Sequence, residues 1–233
     1  MSSLRVLASF LKTIRADRAL GAATDRDSVA FERLYRRRED PWGLRASPFT
    51  QYRYLALLER LAAFTPCQTL LDVGCGEGLF TRYLTGVAAN VVGIDLSATA
   101  IERARRNVPR ADFCCVALQD FAPDQRFDVV IAAEMLYYAD DIERALGNLS
   151  ALGDVVLVSY ARPRAPQIEA KLPRVGNTVA STFHSFFQSD THGFTIASFG
   201  RHAERGSAAA IISPEPGILS EPALSAADWS SSQ

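Results

Sequence analysis

The sequence predicts a doubly wound α/β fold, in which helices cover both faces of a largely parallel sheet. Short apolar runs alternate with helical patterns between residues 67 and 160, which is typical of β-α-β units. The first two apolar runs end in acidic residues, Asp72 and Asp95, and a glycine-rich stretch follows the first. Ligands of such folds bind at the carboxyl ends of the strands, so we expect a binding site there.

The composition fits one large domain with modest extensions. Of the 233 residues, 48% are hydrophobic and 22% are charged, which is enough for a full core. The formal net charge of −1 gives no general attraction to nucleic acid, and no apolar run approaches the roughly 18 residues that span a membrane. We therefore expect a cytoplasmic enzyme with neither a nucleic-acid nor a membrane partner. The sequence does not predict an oligomeric state.

The cysteines predict no metal site, because they lack both CxxC spacing and neighbouring histidines. Two of the four are adjacent, so on a strand they point to opposite faces. We expect reduced, structural cysteines at all four positions, which are Cys67, Cys75, Cys114 and Cys115.

Residues 1–65 are expected to form an N-terminal helical cap or lid. Apolar residues recur at three- and four-residue steps over residues 4–20, and a second helical pattern over 31–39 ends at Pro41. Trp42 follows in a loop, where it either fills the core or covers a ligand pocket.

Serines mark two further helix starts. Ser47 is placed as an N-cap with Pro48 at the first helical position, and Ser97 is placed as the cap of a helix that contains Ile101.

The glycine-rich stretch predicts a strand, a tight turn and the start of a helix over residues 70–80. Glycines at 74, 76 and 78 let a ligand approach the backbone and permit positive φ angles, and a helix start offers free N–H groups. The spacing differs from the dinucleotide pattern G-x-G-x-x-G, which argues against an oxidoreductase. Asp72, at the end of the strand, suits a ligand with an ammonium group better than a pyrophosphate.

Later strands bring further residues to the same edge of the sheet. Asp95 lies one β-α-β unit beyond Asp72, where one carboxylate can hold two neighbouring ribose hydroxyls. Leu118 and Glu134 follow the next two predicted strands. These later strands span residues 90–95, 112–117, 127–133 and 155–160.

The pattern Asp72-x-Gly74-x-Gly76-x-Gly78 resembles motif I of the class I S-adenosylmethionine-dependent methyltransferases. The resemblance implies a Rossmann-like, seven-stranded sheet over residues 66–213, ending in a hairpin of residues 193–199 and 208–212. A flexible tail is expected over 214–233. The resemblance implies that Asp72 binds the ammonium group of the cofactor and that the backbone of Gly74, Cys75 and Gly76 lies against it. Asp95 and Leu96 are expected at the ribose, and Leu118 and Gln119 at the adenine. Further cofactor contacts are implied for Trp42, Tyr54 and Glu134.

The stretch Glu134-Met135-Leu136-Tyr137-Tyr138 resembles the NodS-like branch of these enzymes, as do residues 40–42 and 47–54. This branch contains nodulation-type N-methyltransferases that act on amino sugars. Thr50 and Gln51 depart from its pattern, so the identity of the acceptor does not transfer. The resemblance implies S-adenosyl-L-methionine as cofactor, S-adenosyl-L-homocysteine as product and no metal.

Three residues are candidates for the catalytic site. Glu134 is expected either to accept a hydrogen bond from the acceptor or act as a general base, with a structural acid as the alternative. Of the adjacent Tyr137 and Tyr138, only one is expected to face the pocket. His184 lies in a segment, 181–187, that is expected to cover the substrate unless the histidine is a core or surface residue.

The sequence therefore predicts N-methylation of a small polar acceptor, an amino sugar or a related intermediate. Two alternatives stay open: O-methylation of a small molecule, and a non-catalytic protein that binds S-adenosylmethionine.

Overall fold

The structure is a computed structural model that describes residues 28–174, 179–186 and 189–203. The expectations for residues 4–20, 208–212 and 214–233 lie outside these ranges.

The described residues form an alternating series of helices and strands. The helices are α1 (Ser28–Arg37), α2 (Pro48–Ala62), α3 (Thr81–Leu84), α4 (Ala98–Asn107), α5 (Ile142–Leu152) and α6 (Ala165–Glu169). The strands are β1 (Cys67–Val73), β2 (Ala88–Asp95), β3 (Asp112–Cys115), β4 (Phe127–Ala133), β5 (Gly153–Ala161), β6 (Val179–Phe186) and β7 (Ser189–Gly200).

One sheet orders the described strands as β3-β2-β1-β4-β5-β7-β6. Strands β1 to β5 pair in parallel, and β7 pairs antiparallel with both β5 and β6. The chain leaves β1 toward β2 on one side and returns to β4 on the other, so the strand order reverses beside β1. This arrangement confirms the doubly wound, Rossmann-like fold and places its ligand crevice at the carboxyl end of β1.

The antiparallel hairpin lies earlier in the chain than the sequence predicted. Residues 189–200 pair with residues 179–186 on one side and with β5 on the other, so residues 181–186 supply a strand of the sheet, where a cover over the substrate was expected. The strand was missed because β6 is the last strand of the sheet within the described ranges and is rich in serine and threonine.

Two apolar layers hold the helices against the sheet. On one face, Leu71, Val130 and Val156 pack with Leu146 and Leu149 of α5. On the other face, Leu70, Val129 and Leu157 pack with Leu57 and Leu61 of α2. Consecutive strand residues point to opposite faces, so a strand buried on both faces is apolar along its whole length. Each fully buried leucine contributes roughly 2 kcal/mol.

The predicted serine caps are confirmed. The Ser47 side chain accepts a hydrogen bond from the N–H of Thr50, and the Ser97 side chain accepts one from the N–H of Ala100. These caps fix where α2 and α4 begin, and Ser97 follows Asp95 directly at the ligand edge of the sheet. None of the helices in the described ranges combines the length and apolar character that crossing a bilayer requires.

Candidate functional site

The glycine turn, residues 74–78, joins β1 to the helix that follows it. All three glycines have positive φ, at 73°, 54° and 76° for Gly74, Gly76 and Gly78. The N–H groups of Gly74 and Cys75 both donate to the Ile94 carbonyl, at 2.8 and 3.0 Å, which fixes the turn to the end of β2. A side chain at any of the three glycine positions would therefore strain the turn.

Asp72 ends β1 beneath this turn and is 2% exposed. Burial raises the pKa of its carboxyl group from the usual 3.8 to about 6; the hydrogen bond from Thr81 opposes the rise, and the nearby Asp95 adds to it. The Thr81 hydroxyl donates to Oδ2 of Asp72 at 2.6 Å. Thr81 thus holds the carboxylate in a fixed position at the crevice.

Asp95 ends β2 beside Asp72. Its Oδ2 accepts a hydrogen bond from the N–H of Gly76 and its Oδ1 accepts one from the N–H of Ser97, both at 2.9 Å. Burial raises the pKa of this carboxyl group although these backbone hydrogen bonds lower it. Two carboxylates on neighbouring strand ends concentrate negative charge where a ligand would meet the glycine turn.

The Cys75 side chain lies in the core. It packs with Ile101, Ala104 and Phe113, and a Cβ added to Gly93 would lie 2.9 Å from its sulfur. Burial raises the pKa of this thiol well above the usual range. The predicted ligand contact of Cys75 therefore depends on its backbone alone.

A cap segment, residues 28–45, lies over the crevice. In α1, Phe31 and Leu34 form a cluster with Leu96 from the loop after β2 and with Tyr138 from the loop after β4. The Phe31 and Tyr138 rings meet edge to face, with centroids 5.4 Å apart. Since β2 and β4 flank β1, α1 spans the carboxyl end of β1 and the glycine turn.

Aromatic residues of the cap segment close the space above the turn. Tyr35 is buried, and a Cβ added to Gly76 would lie 2.7 Å from its hydroxyl oxygen. Trp42 is partly buried, and its ring lies at 61° to the Tyr35 ring with centroids 5.4 Å apart. Trp42 also packs against the buried Phe31 and Leu34, so the two roles expected for it, core residue and cover over a pocket, both stay predictions.

Glu32 anchors α1 to the start of α4. Its carboxylate accepts hydrogen bonds from the Ser97 hydroxyl at 2.7 Å, from the Thr99 N–H at 3.1 Å and from the Thr99 hydroxyl at 2.7 Å. Burial alone would raise its pKa, but these bonds and one from Arg36 together lower the pKa to about 2. The N-terminal end of a helix also favours an anion. Glu32 is therefore ionised across the usual pH range.

Leu118 and Gln119 lie where the adenine contacts were expected. They begin a short 3₁₀ helix after β3; Leu118 is buried and Gln119 exposed. Both line a cavity of about 160 Å³ together with Asp140, Asp141 and Arg144. This volume is below the ~300–1,000 Å³ of a complete ligand pocket, and neither Asp72 nor Asp95 lines the cavity.

Glu134 and Tyr137 meet at the end of β4. Glu134 has a φ of 58°, a conformation uncommon outside glycine. Its Oε2 accepts a hydrogen bond from the Tyr137 hydroxyl at 3.2 Å, and its Oε1 accepts one from the Ser159 hydroxyl at 3.3 Å. A guanidinium nitrogen of Arg53 lies 3.5 Å from Oε2. The local backbone and these partners together fix the carboxylate.

The structure does not bring His184 to this cluster. The His184 ring stacks on Phe194 at 5.0 Å and meets the edge of Tyr52 at 6.2 Å, and β5 and β7 separate β6 from β4. Burial lowers the pKa of His184, which favours the neutral imidazole. His184 lies away from Glu134 because it belongs to β6, the strand that the sequence analysis did not predict.

Tyr54 is also held in aromatic packing. Its ring stacks on Phe80 with centroids 4.6 Å apart and lies 6.0 Å from Tyr83. Burial raises the pKa of its hydroxyl above the usual range, with Asp72 among the nearby charges. Tyr54 thus lies behind Asp72 in the wall of the crevice.

Sequence reasoning missed six residues described above, which are Glu32, Ser159 and the following four. Arg53 is 8% exposed at the side chain and lies beside Glu134; Glu77 is 3% exposed within the glycine turn. Tyr35 and Thr81 complete the set. Thr81 follows Asp72 by nine positions in a regular strand-turn-helix unit, so its position was predictable. Arg53 in α2 and Tyr35 in α1 carry no local signal. No group of three or more potential metal ligands occurs among the residues that the structure describes.

Comparison with known proteins gives matches to methyltransferases. Residues 71–152 match a family model described as a methyltransferase domain. Nodulation protein S of Rhizobium tropici is 34% identical over 117 residues, which are 48% of this chain and 49% of that protein. A ubiquinone biosynthesis O-methyltransferase of Rhodopseudomonas palustris (strain BisB5) is 37% identical over 87 residues, 36% of this chain and 34% of that protein. The chain thus spans half or less of the length of these two relatives.

A solved structure gives the same fold over most of the chain. The N-methyltransferase NodS from Bradyrhizobium japonicum WM9, in complex with S-adenosyl-l-homocysteine, superposes with a TM-score of 0.63 at 22% identity. The match covers 81% of this chain and 97% of that one. Together, these matches confirm the resemblance to class I methyltransferases of the NodS-like branch, and they agree with S-adenosylmethionine as the expected cofactor.

Proposed function

We propose that this chain is an S-adenosylmethionine-dependent methyltransferase that methylates nitrogen in a small polar acceptor, with an amino sugar as the acceptor class. The observation that carries the proposal is the pair of carboxylates, Asp72 and Asp95, at adjacent strand ends beside a turn of positive-φ glycines. The relative named as an O-methyltransferase and the shared fold of a solved N-methyltransferase support it.

The residues of the crevice fit the chemical groups of this cofactor. Asp72 would hold the methionyl ammonium and Asp95 the ribose hydroxyls, while Leu118 and Gln119 would border the adenine. Asp95 already accepts hydrogen bonds from two backbone N–H groups, so its carboxylate is preorganised, with lone pairs left for hydroxyl donors. When bound, the cofactor supplies a methyl group that its sulfonium has already activated.

The work left to the protein is orientation and the exclusion of water. The cap segment carries buried Tyr35 and partly buried Trp42 over the glycine turn, so it would separate a bound ligand from solvent. Exclusion of water and a fixed line of attack are the main sources of rate in a displacement of this kind. Residues outside the matched domain would thereby contribute to catalysis.

Glu134 is the residue proposed to meet the acceptor. Tyr137 and Ser159 each donate to one of its oxygens, and Arg53 balances its charge. A carboxylate held in this way can accept a hydrogen bond from an N–H or O–H of the acceptor and turn the nucleophilic lone pair toward the methyl group. A carboxylate partner suits an amine, which favours nitrogen.

Transfer to oxygen is the second candidate. A relative at 37% identity is named as an O-methyltransferase, and Glu134 can accept from a hydroxyl as well as from an amine. The two reactions differ in the product that they give, so one assay separates them.

The test has two stages. Calorimetry with S-adenosylhomocysteine measures cofactor binding, and a transfer assay with methyl-labelled cofactor compares glucosamine with N-acetylglucosamine, which lacks the free amine. We expect binding, with N-methylated product from glucosamine alone. Labelling of both sugars on oxygen would favour the second candidate, and binding without transfer to either would favour a non-catalytic binding protein. Absence of binding would overturn the proposal.

Glu134→Gln tests the acceptor role. We expect kcat/KM to fall about 100-fold, because a neutral amide cannot accept a proton and attracts an amine less strongly. Glu134 was also expected to contact the cofactor, so the affinity for S-adenosylhomocysteine is measured as well: a change within about twofold assigns Glu134 to the acceptor, and a larger loss assigns it to the cofactor. Glu102→Gln is a matched control, because Glu102 is 68% exposed and paired with Arg106 on the same helix.

A further inference from the structure

Glu77 is a buried carboxylate inside the glycine turn, and the roles assigned above do not use it. Its side chain is 2% exposed. Its Oε1 accepts a hydrogen bond from Arg103 at 2.7 Å and its Oε2 accepts one from Arg45 at 3.1 Å. The backbone N–H of Asp40 lies 3.2 Å from both oxygens. Two of these three partners, Asp40 and Arg45, belong to the cap segment.

The part of the cap segment that Glu77 holds is a folded turn. Asp40 has a φ of 44°, and its carboxylate accepts hydrogen bonds from the N–H groups of Leu44 at 2.6 Å and Arg45 at 3.0 Å. Its carbonyl accepts another from Gly43 at 3.0 Å. Residues 40–45 are therefore an ordered unit with Trp42 at its centre, and Glu77 ties this unit to the ligand-binding turn.

Arg103 extends the same connection to α1. The nitrogen that donates to Glu77 also donates to the Arg38 carbonyl at 3.2 Å, just beyond the end of α1. A carboxylate taken out of water costs several kcal/mol unless charged partners compensate for it, and replacement of such a network by apolar residues is often neutral or stabilising. Stability alone therefore does not account for an acid at this position.

We infer that Glu77 is a positioning residue of the cofactor site. Its carboxylate anchors residues 38–45 to the glycine turn and thereby fixes Tyr35 and Trp42 above the crevice. Glu77 acts through these residues and makes no contact with the ligand itself. The inference rests on the proposed function, since the ligand that the cap segment encloses is the cofactor.

Glu32 is a second anchor of the cap segment, and it determines how the segment responds when Glu77 is replaced. Glu32 holds α1 to Ser97 and Thr99 independently of Glu77. Without Glu77, α1 would remain attached at one end while residues 38–45 separate from the turn. The expected consequence is weaker cofactor binding in a protein that still folds.

Three variants isolate this role. Arg45→Ala removes one partner whose side chain is 46% exposed and leaves Glu77 paired with Arg103. The double variant Glu77→Gln with Arg103→Gln removes the carboxylate without leaving a buried unpaired charge. Glu102→Gln is the control on the same helix. Each is made in a Trp229→Phe background, so that Trp42 is the only tryptophan.

Two measurements are made on each variant. Calorimetry gives the dissociation constant for S-adenosylhomocysteine, and acrylamide quenching of Trp42 emission, without ligand, reports the exposure of the cap segment. We expect about threefold weaker binding for Arg45→Ala, as for an exposed ion pair, and about 10- to 100-fold weaker binding for the double variant. Quenching should rise in the same order, with the thermal midpoint of the double variant within a few degrees of the parent.

Parent-like affinity and quenching in the double variant would overturn the inference. Loss of affinity together with a collapse of the thermal midpoint would also overturn it, because Glu77 would then be an ordinary stability residue. If the parent protein failed to bind S-adenosylhomocysteine, the proposed function would fail, yet the quenching comparison would still decide whether Glu77 holds the cap segment.

Discussion

Replacement of Asp72 by asparagine is expected to stabilise the protein while it weakens cofactor binding. Burial raises the pKa of Asp72 from 3.8 to about 6. The folded protein therefore holds this proton more tightly than the unfolded chain does, and stability falls as the pH rises from about 4 through about 6. A difference of about two pKa units corresponds to about 3 kcal/mol at neutral pH and above.

The gain in unfolding free energy from Asp72→Asn should depend on pH in a way that identifies Asp72 as its source. Asp72→Asn removes the titration, so its free energy of unfolding should exceed that of the wild type by about 1.5 kcal/mol at pH 5 and about 3 kcal/mol at pH 8. Urea unfolding at the two pH values measures both differences. Contributions from all other titrating groups cancel in the comparison to the extent that the variant leaves them unchanged.

A second variant moves the same group in the opposite direction. The Thr81 hydroxyl donates to Asp72 at 2.6 Å and lowers the pKa of that carboxyl group. Thr81→Val removes the donor, so the pKa should rise further and the total loss of stability between pH 4 and pH 8 should become larger. Relative to the wild type, Asp72→Asn should gain stability as the pH rises, whereas Thr81→Val should lose it. A nonspecific effect of substitution would not give pH dependences of opposite sign.

Cofactor binding should become weaker in Asp72→Asn, although the stability of this variant increases. Asp72→Asn removes the negative charge assigned to the methionyl ammonium, which should weaken binding of S-adenosylhomocysteine about 10- to 100-fold at pH 8. In the wild type, the affinity should rise between pH 5 and pH 7 as Asp72 ionises. A variant that shows no pH-dependent gain in stability, or that binds S-adenosylhomocysteine as tightly as the wild type, would refute this reasoning.

Three further substitutions test the crevice and the core. Asp95→Ala removes the acceptor for two backbone N–H groups, and calorimetry should show about 10- to 100-fold weaker binding of S-adenosylhomocysteine; unchanged affinity would exclude the ribose role. Gly76→Ala should lower the thermal midpoint, because φ is 54° and the new Cβ would lie 2.7 Å from the Tyr35 hydroxyl. Adding Tyr35→Phe to this variant should restore part of the loss. If the thermal midpoint does not recover, backbone strain dominates the loss. Leu71→Ala should cost about 2–5 kcal/mol in urea unfolding, since Leu71 is fully buried, and a much smaller cost would mean that the core collapses around the cavity.

The parallel half of the fold was predictable because its signals are local. Each buried strand is a short apolar run, and Ser47 and Ser97 mark the helix starts through hydrogen bonds to residues three positions away. The acids at the ends of β1 and β2 follow from the same pattern, since consecutive parallel strands end at one edge of the sheet. Their proposed contacts with a cofactor stay predictions.

The cap segment and the antiparallel edge were not predictable in the same way. Glu77 contacts residues 26 to 37 positions away, and Glu32 contacts residues 65 and 67 positions away. The sequence around either acid does not predict those partners. His184 lies on an edge strand that lacks a clear apolar period. Such pairings are decided by tertiary packing, which overrides local preference.

The two halves of the crevice come from separate parts of the chain. The glycine turn and both strand-end acids lie within residues 71–152, whereas Tyr35 and Trp42 precede them. The lower half can therefore keep the geometry of the proposed cofactor site while the upper half diverges, provided that the contacts joining them are kept: those of Glu32, those of Glu77, and the packing of Phe31 and Leu34 against Leu96 and Tyr138. Chimaeras that exchange residues 28–45 between homologues, with these contacts matched, offer a route to altered cofactor affinity without rebuilding the sheet.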